Sequence, residues 1–329
     1  WPIFFTAING REPLFVYLVH LAQRIDGPTI WSVRVISAGA GALLTPALVW
    51  LGWEIAPLLG IIQRRRFALW SGLASLALLW PQTISRLGQR ISLFGLLEVL
   101  ACAALWRAWR TGRLRWWLLA GLLAGLSFYT YLAVRLLPFV FLPVALLLLW
   151  RERQKLWQAR WGLLAFLLAA LVTAGPLLLH FARKPDHFSM RTGQVNILAQ
   201  FGLPGLLRNG LVILGMAFTG GDFNLRLNFP DRPVLDFFTV LPFLIGLLLA
   251  LRHMGRPGYL FLLSGLGVLL IPTLLSEEAP NFGRSFGAYP FVVLLIALGV
   301  EWLSEAGRKI RPRLGTAIAF VGSGVLLLA

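Results

Sequence analysis

The sequence ISLFGLLEVLACAALW (91–106) is followed by RAWRTGRLR (107–115) and then by WWLLAGLLAGLSFYTYL (116–132). Each apolar run comes close to the ~20 residues that a helix needs to cross the hydrocarbon of a bilayer. The short basic segment between them is typical of a cytoplasmic connection between two spans. The stretch therefore predicts a helical hairpin that crosses a membrane twice.

The composition extends this prediction to all 329 residues. Hydrophobic residues make up 58% and charged residues 13%, and the mean hydropathy is +0.77, whereas soluble domains are about 25% charged. These values exclude a cytosolic enzyme, a disordered regulator and a secreted disulfide scaffold. The single cysteine, Cys102, excludes an internal disulfide. We predict an all-α integral membrane protein that is a polytopic helical bundle.

The net charge of +17 is explained by the positions of the basic residues. They fall mostly between apolar runs, as expected for cytoplasmic loops of a membrane protein. The positive charge is therefore no sign of nucleic-acid binding, and the predicted partner is the lipid bilayer. About ten spans are predicted. Five basic clusters, within 64–66, 107–115, 151–160, 252–256 and 308–313, lie on one side if each span crosses once. The spans are 34–53, 67–83, 91–106, 116–132, 136–150, 161–181, 234–251, 258–275, 286–303 and 314–329.

One apolar segment is not counted as a span. Residues 203–218 are short and carry Arg208, so they predict an interfacial helix. The start at Trp1 and the end within an apolar run indicate a fragment of a plasma or inner membrane protein. The expected organisation is one membrane domain over 1–329, with an outer-face loop and juxtamembrane helix at 1–33, six spans in 34–181, an outer-face loop with the interfacial helix at 182–233, and four spans in 234–329.

The predicted outer face carries arginines that the positive-inside rule disfavours there, so they require a function. Arg86 and Arg90 are four residues apart and are predicted to share a helix face. Together with Arg135 they predict a positive cavity that suits a phosphate or pyrophosphate. Glu98 lies within a span, where a carboxylate is either functional or the buried partner of Arg90 or Arg34.

Sequence motifs for nucleotide and metal chemistry are missing. There is no P-loop, no G-x-G-x-x-G, no HExxH and no cysteine pair. An enzyme that works on the outer side without a nucleotide fold needs an activated substrate that is delivered through the membrane. A polyprenyl phosphate or pyrophosphate that carries a sugar meets this need, and the outer arginines would stabilise the phosphate as leaving group.

Several segments, taken in order, resemble the GT-C glycosyltransferases, and among these the protein O-mannosyltransferase-like and aminoarabinose-transferase-like group. A turn near the end of the chain resembles the family's outer turn with Pro-Asn-x-x-Arg. The segments are WPIFFTAINGREPLFVYL (1–18), WSVRVISAGAGALLTPALVWLG (31–52), SRLGQR (85–90), WWLLAGLLAGLSFYTYLAVRLLPF (116–139) and SEEAPNFGRSFGAYP (276–290).

The resemblance implies transfer of a sugar from a polyprenyl-phosphate donor to an acceptor at the outer face, by a single inverting displacement. The catalytic carboxylate is expected upstream of Trp1, and Glu12 is the nearest acid present. Some family members use a divalent ion, but the sequence shows no dedicated metal site. The lipid phosphate is assigned to Arg11, Arg86, Arg90 and Arg284, and other substrate contacts are predicted at Tyr131, Arg135, His187, Arg191 and Asn281.

Three other functions stay open at this stage. A lipid-linked sugar transporter or flippase would bind the same phosphate but would need polar residues along a path through the bilayer. A lipid-linked glycan polymerase or ligase would share the outer arginines and the long outer loop. A membrane scaffold would bind without releasing sugar. The sugar and the acceptor, whether protein, lipid or glycan, are not determined by the sequence.

Overall fold

The computed structural model describes residues 2–7, 10–189 and 197–310, without the side chains of 197–200 and 310. Within these ranges the regular structure is helical and no strand is present. One antiparallel backbone bridge joins Phe5 to Arg11. The all-α prediction is confirmed.

The described chain forms fifteen α-helices. Three 3₁₀ segments, Ala56–Leu59, Leu132–Leu136 and Phe286–Ala288, continue or introduce helices at bends. The helices are α1 Leu14–Asp26, α2 Ile30–Ile55, α3 Arg64–Ala77, α4 Leu79–Arg86, α5 Ile91–Thr111, α6 Leu114–Ser127, α7 Leu137–Arg151, α8 Arg153–Gln158, α9 Arg160–Arg183, α10 Pro185–Ser189, α11 Ile197–Met216, α12 Phe237–Arg252, α13 Pro257–Leu269, α14 Ile271–Leu274 and α15 Tyr289–Ile310.

The hairpin predicted over 91–132 is present as α5 and α6. Helix α5 ends at Thr111 because Gly112 adopts φ 66°, and its N–H bonds to the carbonyl of Ala108 at 2.8 Å. A left-handed residue of this kind ends a helix, and glycine adopts it without a Cβ clash. The basic turn then leads directly into α6.

Six helical segments of the described chain are long and apolar enough to cross a membrane, or seven if the bent pair α3–α4 is one span. The two helices of this pair meet at 60°, so the predicted straight span 67–83 is broken. Predicted spans 116–132 and 234–251 coincide with the shorter apolar helices α6 and α12, and 314–329 lies outside the described residues. The number of ten crossings therefore stays a prediction.

Helices α5 and α15 form the centre of the bundle, because most of their apolar window is buried against other helices. Glycines allow neighbouring backbones to approach closely. A Cβ on Gly121 of α6 would collide with the carbonyl of Phe166 in α9, and one on Gly299 of α15 would collide with the carbonyl of Pro242 in α12. Small residues are the usual means of tight packing between helices in lipid.

One end of the bundle, called the basic end below, contains basic residues of the predicted cytoplasmic loops and two buried carboxylates. Glu54, at the end of α2, accepts hydrogen bonds from Arg107 at 2.7 Å and from Arg110 at 2.6 Å. Glu301 of α15 is 2% exposed and pairs with Arg66 at the start of α3. These pairs cross between helices, so they fix the helices to one another at this end.

The predicted interfacial segment is helical. Helix α11 covers 203–218 almost completely and contains a kink at Gly202. Leu203, Leu207 and Leu211 follow one another at helical spacing and are more than 60% exposed. On the opposite side, the Asn209 amide donates to the carbonyls of Leu274 and Ser276, which attaches α11 to the bundle. Whether α11 lies on or crosses a membrane stays a prediction.

Candidate functional site

The end of the bundle opposite the basic end, called the site end below, contains a buried ion pair. Glu12 stands just before α1, and Arg90 is the residue before α5. Arg90 Nη1 donates to Glu12 Oε2 at 2.7 Å, and the side chains are 12% and 6% exposed. The Arg90 guanidinium also lies over the ring of Tyr131, 5.4 Å from its centroid. A backbone hydrogen bond of 3.0 Å from Leu14 to Tyr129 holds the two segments together.

Arg135 lies beside this pair and belongs to the same turn as Tyr131. Its Nη1 donates to the carbonyl of Phe188 at 2.7 Å, and its Cζ lies 4.0 Å from the centroid of the Phe188 ring and 5.0 Å from that of Phe181. Glu12 is near enough to interact with its charge. The structure therefore groups four predicted residues, Glu12, Arg90, Tyr131 and Arg135, which we call the arginine cluster.

His187 closes one side of the arginine cluster. Its Nδ1 is 3.0 Å from His180 Nε2, and its ring stacks on Phe4 at 5.7 Å between centroids. Phe4 also packs edge-on against Phe181, which lies under Arg135. His187 thus belongs to an aromatic group that supports the cluster. Arg191, the other predicted contact from this loop, lies outside the described residues.

Arg284 and Asn281 lie in a second turn at the same end. The Asn281 side-chain oxygen accepts the backbone N–H of Arg284 at 2.9 Å, and the Asn281 N–H donates to Thr273 Oγ1 at 3.0 Å. The Arg284 guanidinium donates to the hydroxyl of Ser276. Asn281 is 6% exposed, so these contacts show it shaping the turn that orients Arg284.

Asp222 completes this turn and was not selected from the sequence. Its carboxylate accepts the N–H of Phe282 and that of Asn224, both at 2.8 Å, and the residue is 4% exposed. Burial raises the pKa of the carboxyl above its ordinary value, although the N–H donors and the nearby Arg284 act in the opposite direction. The pairing joins residues sixty positions apart, and no local sequence pattern reveals such a contact.

The two turns meet at the start of α5. A Cβ on Gly283 would lie 3.1 Å from the side chain of Ile91, the residue after Arg90. One turn further along α5, the ring of Phe94 packs at a tilt against that of Tyr131, with 5.8 Å between the centroids. The arginine cluster and Arg284 are therefore brought to the same end. Within the described chain, no group of three metal-binding side chains is present.

Arg11 and Arg86 are exposed, and neither forms an ion pair with a described residue. Arg11 is fixed through its backbone, which exchanges hydrogen bonds of 3.0 and 2.8 Å with Phe5. The prediction that Arg86 and Arg90 share a helix face is wrong. Arg86 ends α4, Arg90 precedes α5, and Gly88 with φ 71° turns the chain between them.

Glu98 is not the buried partner of Arg90 or Arg34 in the described part of the chain, which was one of its two predicted roles, and the other role, a functional carboxylate, stays a prediction. It is 1% exposed in α5, and neither carboxyl oxygen has a hydrogen-bond partner among the described residues. Arg90, one of its two predicted partners, pairs with Glu12 instead. The carboxyl is therefore an unsatisfied polar group inside a candidate span.

The described residues thus form an all-helical bundle with apolar candidate spans, and an arginine cluster lies at its site end. Residues 11–180, more than half of the chain, match the model of the dolichyl-phosphate-mannose-protein mannosyltransferase family, so the chain belongs to that family. The predicted GT-C glycosyltransferase relationship is confirmed. No curated protein sequence matches the chain.

Solved structures show the same fold at low identity. ArnT from Cupriavidus metallidurans in the apo state is 15% identical with a TM-score of 0.58, and the match covers 91% of this chain and 51% of ArnT. The oligosaccharyltransferase of Archaeoglobus fulgidus with zinc and sulfate is 14% identical with a TM-score of 0.60, covering 97% and 44%. The chain thus spans about half the length of these proteins.

Proposed function

We propose that this chain forms the membrane core of a glycosyltransferase that moves a sugar from a polyprenyl-phosphate donor to an acceptor at the outer face of the membrane. The arginine cluster at the site end carries the proposal, because it brings the partly buried guanidinium groups of Arg90 and Arg135 together where α5 begins. Family membership supports the transferase class. Two relatives in fold were solved with lipid phosphates, ArnT with undecaprenyl phosphate and AglB with dolichol-phosphate.

The proposed roles follow from how each side chain is held. Arg90, Arg135 and Arg284 are oriented by partners and would bind the lipid phosphate and stabilise it as leaving group. Exposed Arg11 and Arg86 would attract the anion at the rim. Glu12 is already engaged with Arg90, so we give it the role of positioning that arginine. The proton of the acceptor hydroxyl would pass to another carboxylate, as the family resemblance implies.

The remaining expectations belong to the same proposal. The reaction would be a single inverting displacement in a plasma or inner membrane, with one membrane domain and the loops of the site end on the outer side. Tyr131, His187, Arg191 and Asn281 would contact or frame the sugar and the acceptor. The acceptor itself would be a protein, a lipid or a glycan.

The test compares charge reversals at exposed arginines. We expect Arg11→Glu and Arg86→Glu to lower transfer from a polyprenyl-phosphate hexose in proteoliposomes by about tenfold, because each reversal replaces an attraction of the donor phosphate at the rim with a repulsion. Arg113→Glu, an exposed arginine of the basic end, is the matched control and should retain activity. Full activity in both site-end variants would refute the phosphate assignment.

Glu98 is the one observation that favours a transporter of lipid-linked sugar. An unpartnered carboxyl inside a span is typical of a transport path. Glu98→Gln separates the two functions, since a transporter would lose movement of labelled donor across vesicles. A transferase would retain its release of polyprenyl phosphate in the same variant.

A further inference from the structure

The short helix α8 and the turns beside it form a strongly positive surface at the basic end. The segments 113–115, 151–160 and 252–256 carry eight cations and one acid, Glu152. All eight cations are exposed, and Glu152 pairs with Lys155 at 3.2 Å. We call these segments, together with Trp150 and Trp161 at the ends of the middle one, the α8 surface.

Contacts between the turns bring the cations of the α8 surface together. Arg151 Nη1 donates to the carbonyl of Gly255 at 2.5 Å, which joins the end of α7 to the turn before α13. A Cβ on Gly162 would lie 2.3 Å from Trp117 Nε1, so the start of α9 packs against the start of α6, which follows 113–115. Like charges gathered in this way repel one another, and an anion that neutralises them would stabilise the surface.

Three tryptophans are exposed among these cations. Trp150, Trp157 and Trp161 are 78%, 69% and 67% exposed. The Arg160 guanidinium lies 4.8 Å from the centroid of the Trp157 ring and 5.7 Å from that of Trp161, and Arg151 lies 5.2 Å from that of Trp150. Large aromatic side chains exposed together indicate a contact surface, and indole rings beside cations are typical of the headgroup level of a bilayer.

Apolar side chains continue the α8 surface along α7 and α9. Leu146 and Leu149 of α7 are 58% and 53% exposed, and Leu164 of α9 is 43% exposed. The order from cations through indole rings to leucines matches that of a phospholipid, from phosphate through glycerol to acyl chains. An acidic soluble protein would be complementary to the cations, but it would leave the leucines without a partner.

We propose that the α8 surface binds the headgroup of an anionic glycerophospholipid in the leaflet next to the basic end. The phosphodiester would accept hydrogen bonds from Arg153 and Arg160, and the acyl chains would lie on the exposed leucines. A zwitterionic headgroup carries its own ammonium group, so it would be attracted less. The inference does not rest on the proposed function, because it concerns the end of the bundle opposite the arginine cluster.

The headgroup would use a different set of arginines from those bound to buried acids. Arg66, Arg107 and Arg110 contact Glu301 or Glu54 and take no part. The single ion pair that the headgroup meets on the α8 surface is exposed, at 37% and 52%. An exposed surface suits a headgroup that stays in contact with water, and it does not suit a phosphate that must be held in one orientation for reaction.

The test is photolabelling of the chain in phosphatidylcholine vesicles by phosphatidylglycerol that carries a photoreactive group on its acyl chain close to the glycerol. Labelling should be concentrated in 146–168. Unlabelled phosphatidylglycerol should compete several-fold better than phosphatidylcholine, and its advantage should shrink in high salt, because exposed charges are screened.

Matched variants separate the α8 surface from the general positive charge of the basic end. Arg153→Gln and Arg160→Gln should each weaken the labelling affinity about fivefold, the effect of one cation near an anionic leaflet. Arg65 is exposed at the start of α3, which packs against α2 and α15, and Arg65→Gln should leave the affinity unchanged. Transfer from a polyprenyl-phosphate hexose should persist in all three variants, so failure of this inference is distinguishable from failure of the proposed function.

Three results would overturn the inference. These are equal competition by phosphatidylcholine, equal effects of Arg65→Gln and Arg160→Gln, or labelling concentrated outside 146–168. A fourth result would assign the α8 surface to an acidic protein instead. In that case polyglutamate would bind the detergent-solubilised chain and lose affinity in Arg160→Gln, while phosphatidylglycerol showed no preference.

Discussion

Removing one member of the Glu12–Arg90 pair should destabilise the protein strongly. Both side chains are almost buried at 6% and 12% exposure, and the contact is 2.7 Å. Breaking a buried pair leaves an uncompensated charge, which costs about 3–5 kcal/mol. We expect Glu12→Leu to lie near the lower value, about 3 kcal/mol, because the Arg90 guanidinium keeps its contact with the Tyr131 ring.

The double variant Glu12→Leu with Arg90→Met gives the decisive comparison. It removes both charges and fills the site with apolar side chains, so its stability should return to within about 1 kcal/mol of wild type while donor binding stays lost. The assay is the free energy of unfolding in mixed micelles, followed by tryptophan fluorescence. The pair Glu152–Lys155 is exposed at 37% and 52% and serves as control, with an expected cost below about 1 kcal/mol. A double variant no more stable than Glu12→Leu would refute the reasoning.

Three further predictions use the same unfolding measurement. The pKa of Asp222 is raised in the folded chain, so the folded state keeps this proton to a higher pH than the unfolded state does. The free energy of unfolding should therefore fall as the pH rises from the ordinary carboxyl pKa through the raised one. Asp222→Asn should remove this dependence on pH. Gly121→Ala should destabilise through its clash between α6 and α9, whereas Gly175→Ala, which meets open space, should stabilise by up to about 1 kcal/mol. Glu54→Gln should cost about 3 kcal/mol or more, and Glu305→Gln, half exposed, less than about 1 kcal/mol.

The fold was predictable because membrane burial is a property of whole segments. Apolar composition over twenty residues and the arginines between runs placed α2, α5, α7, α9, α13 and α15 close to their observed bounds. The break between α3 and α4 was missed, since both helices are apolar and only the backbone shows their 60° angle. Spacing along an assumed helix also failed at Arg86 and Arg90, where Gly88 separates two helices.

The candidate site was only partly predictable, for a different physical reason. The arginines of the site end could be selected singly, because cations on the predicted outer face conflict with the positive-inside rule. Their partners could not be, since Glu12 meets Arg90 across 78 positions and Asp222 meets Phe282 across 60. Such pairs depend on how helices pack, and one sequence carries no local signal for them.

The two ends of the bundle hold their arginines in different ways, which argues that the site end is where an anion binds. At the basic end, Glu54 and Glu301 already neutralise the arginines that they contact. At the site end Glu12 pairs with Arg90 in the same way, but Arg135 is held by a carbonyl and two aromatic rings, and Arg284 by a hydroxyl. These contacts orient a guanidinium without cancelling its charge.

Helix direction adds to this difference. Helices α2, α5, α7 and α15 all begin at the site end, and helix N-termini carry partial positive charge. A phosphate that enters there meets oriented cations and favourable helix ends. At the basic end the same phosphate would have to displace buried carboxylates from their arginines, which costs the several kcal/mol of a broken buried pair. The lipid phosphate is therefore expected at the site end, although arginines are more numerous at the other.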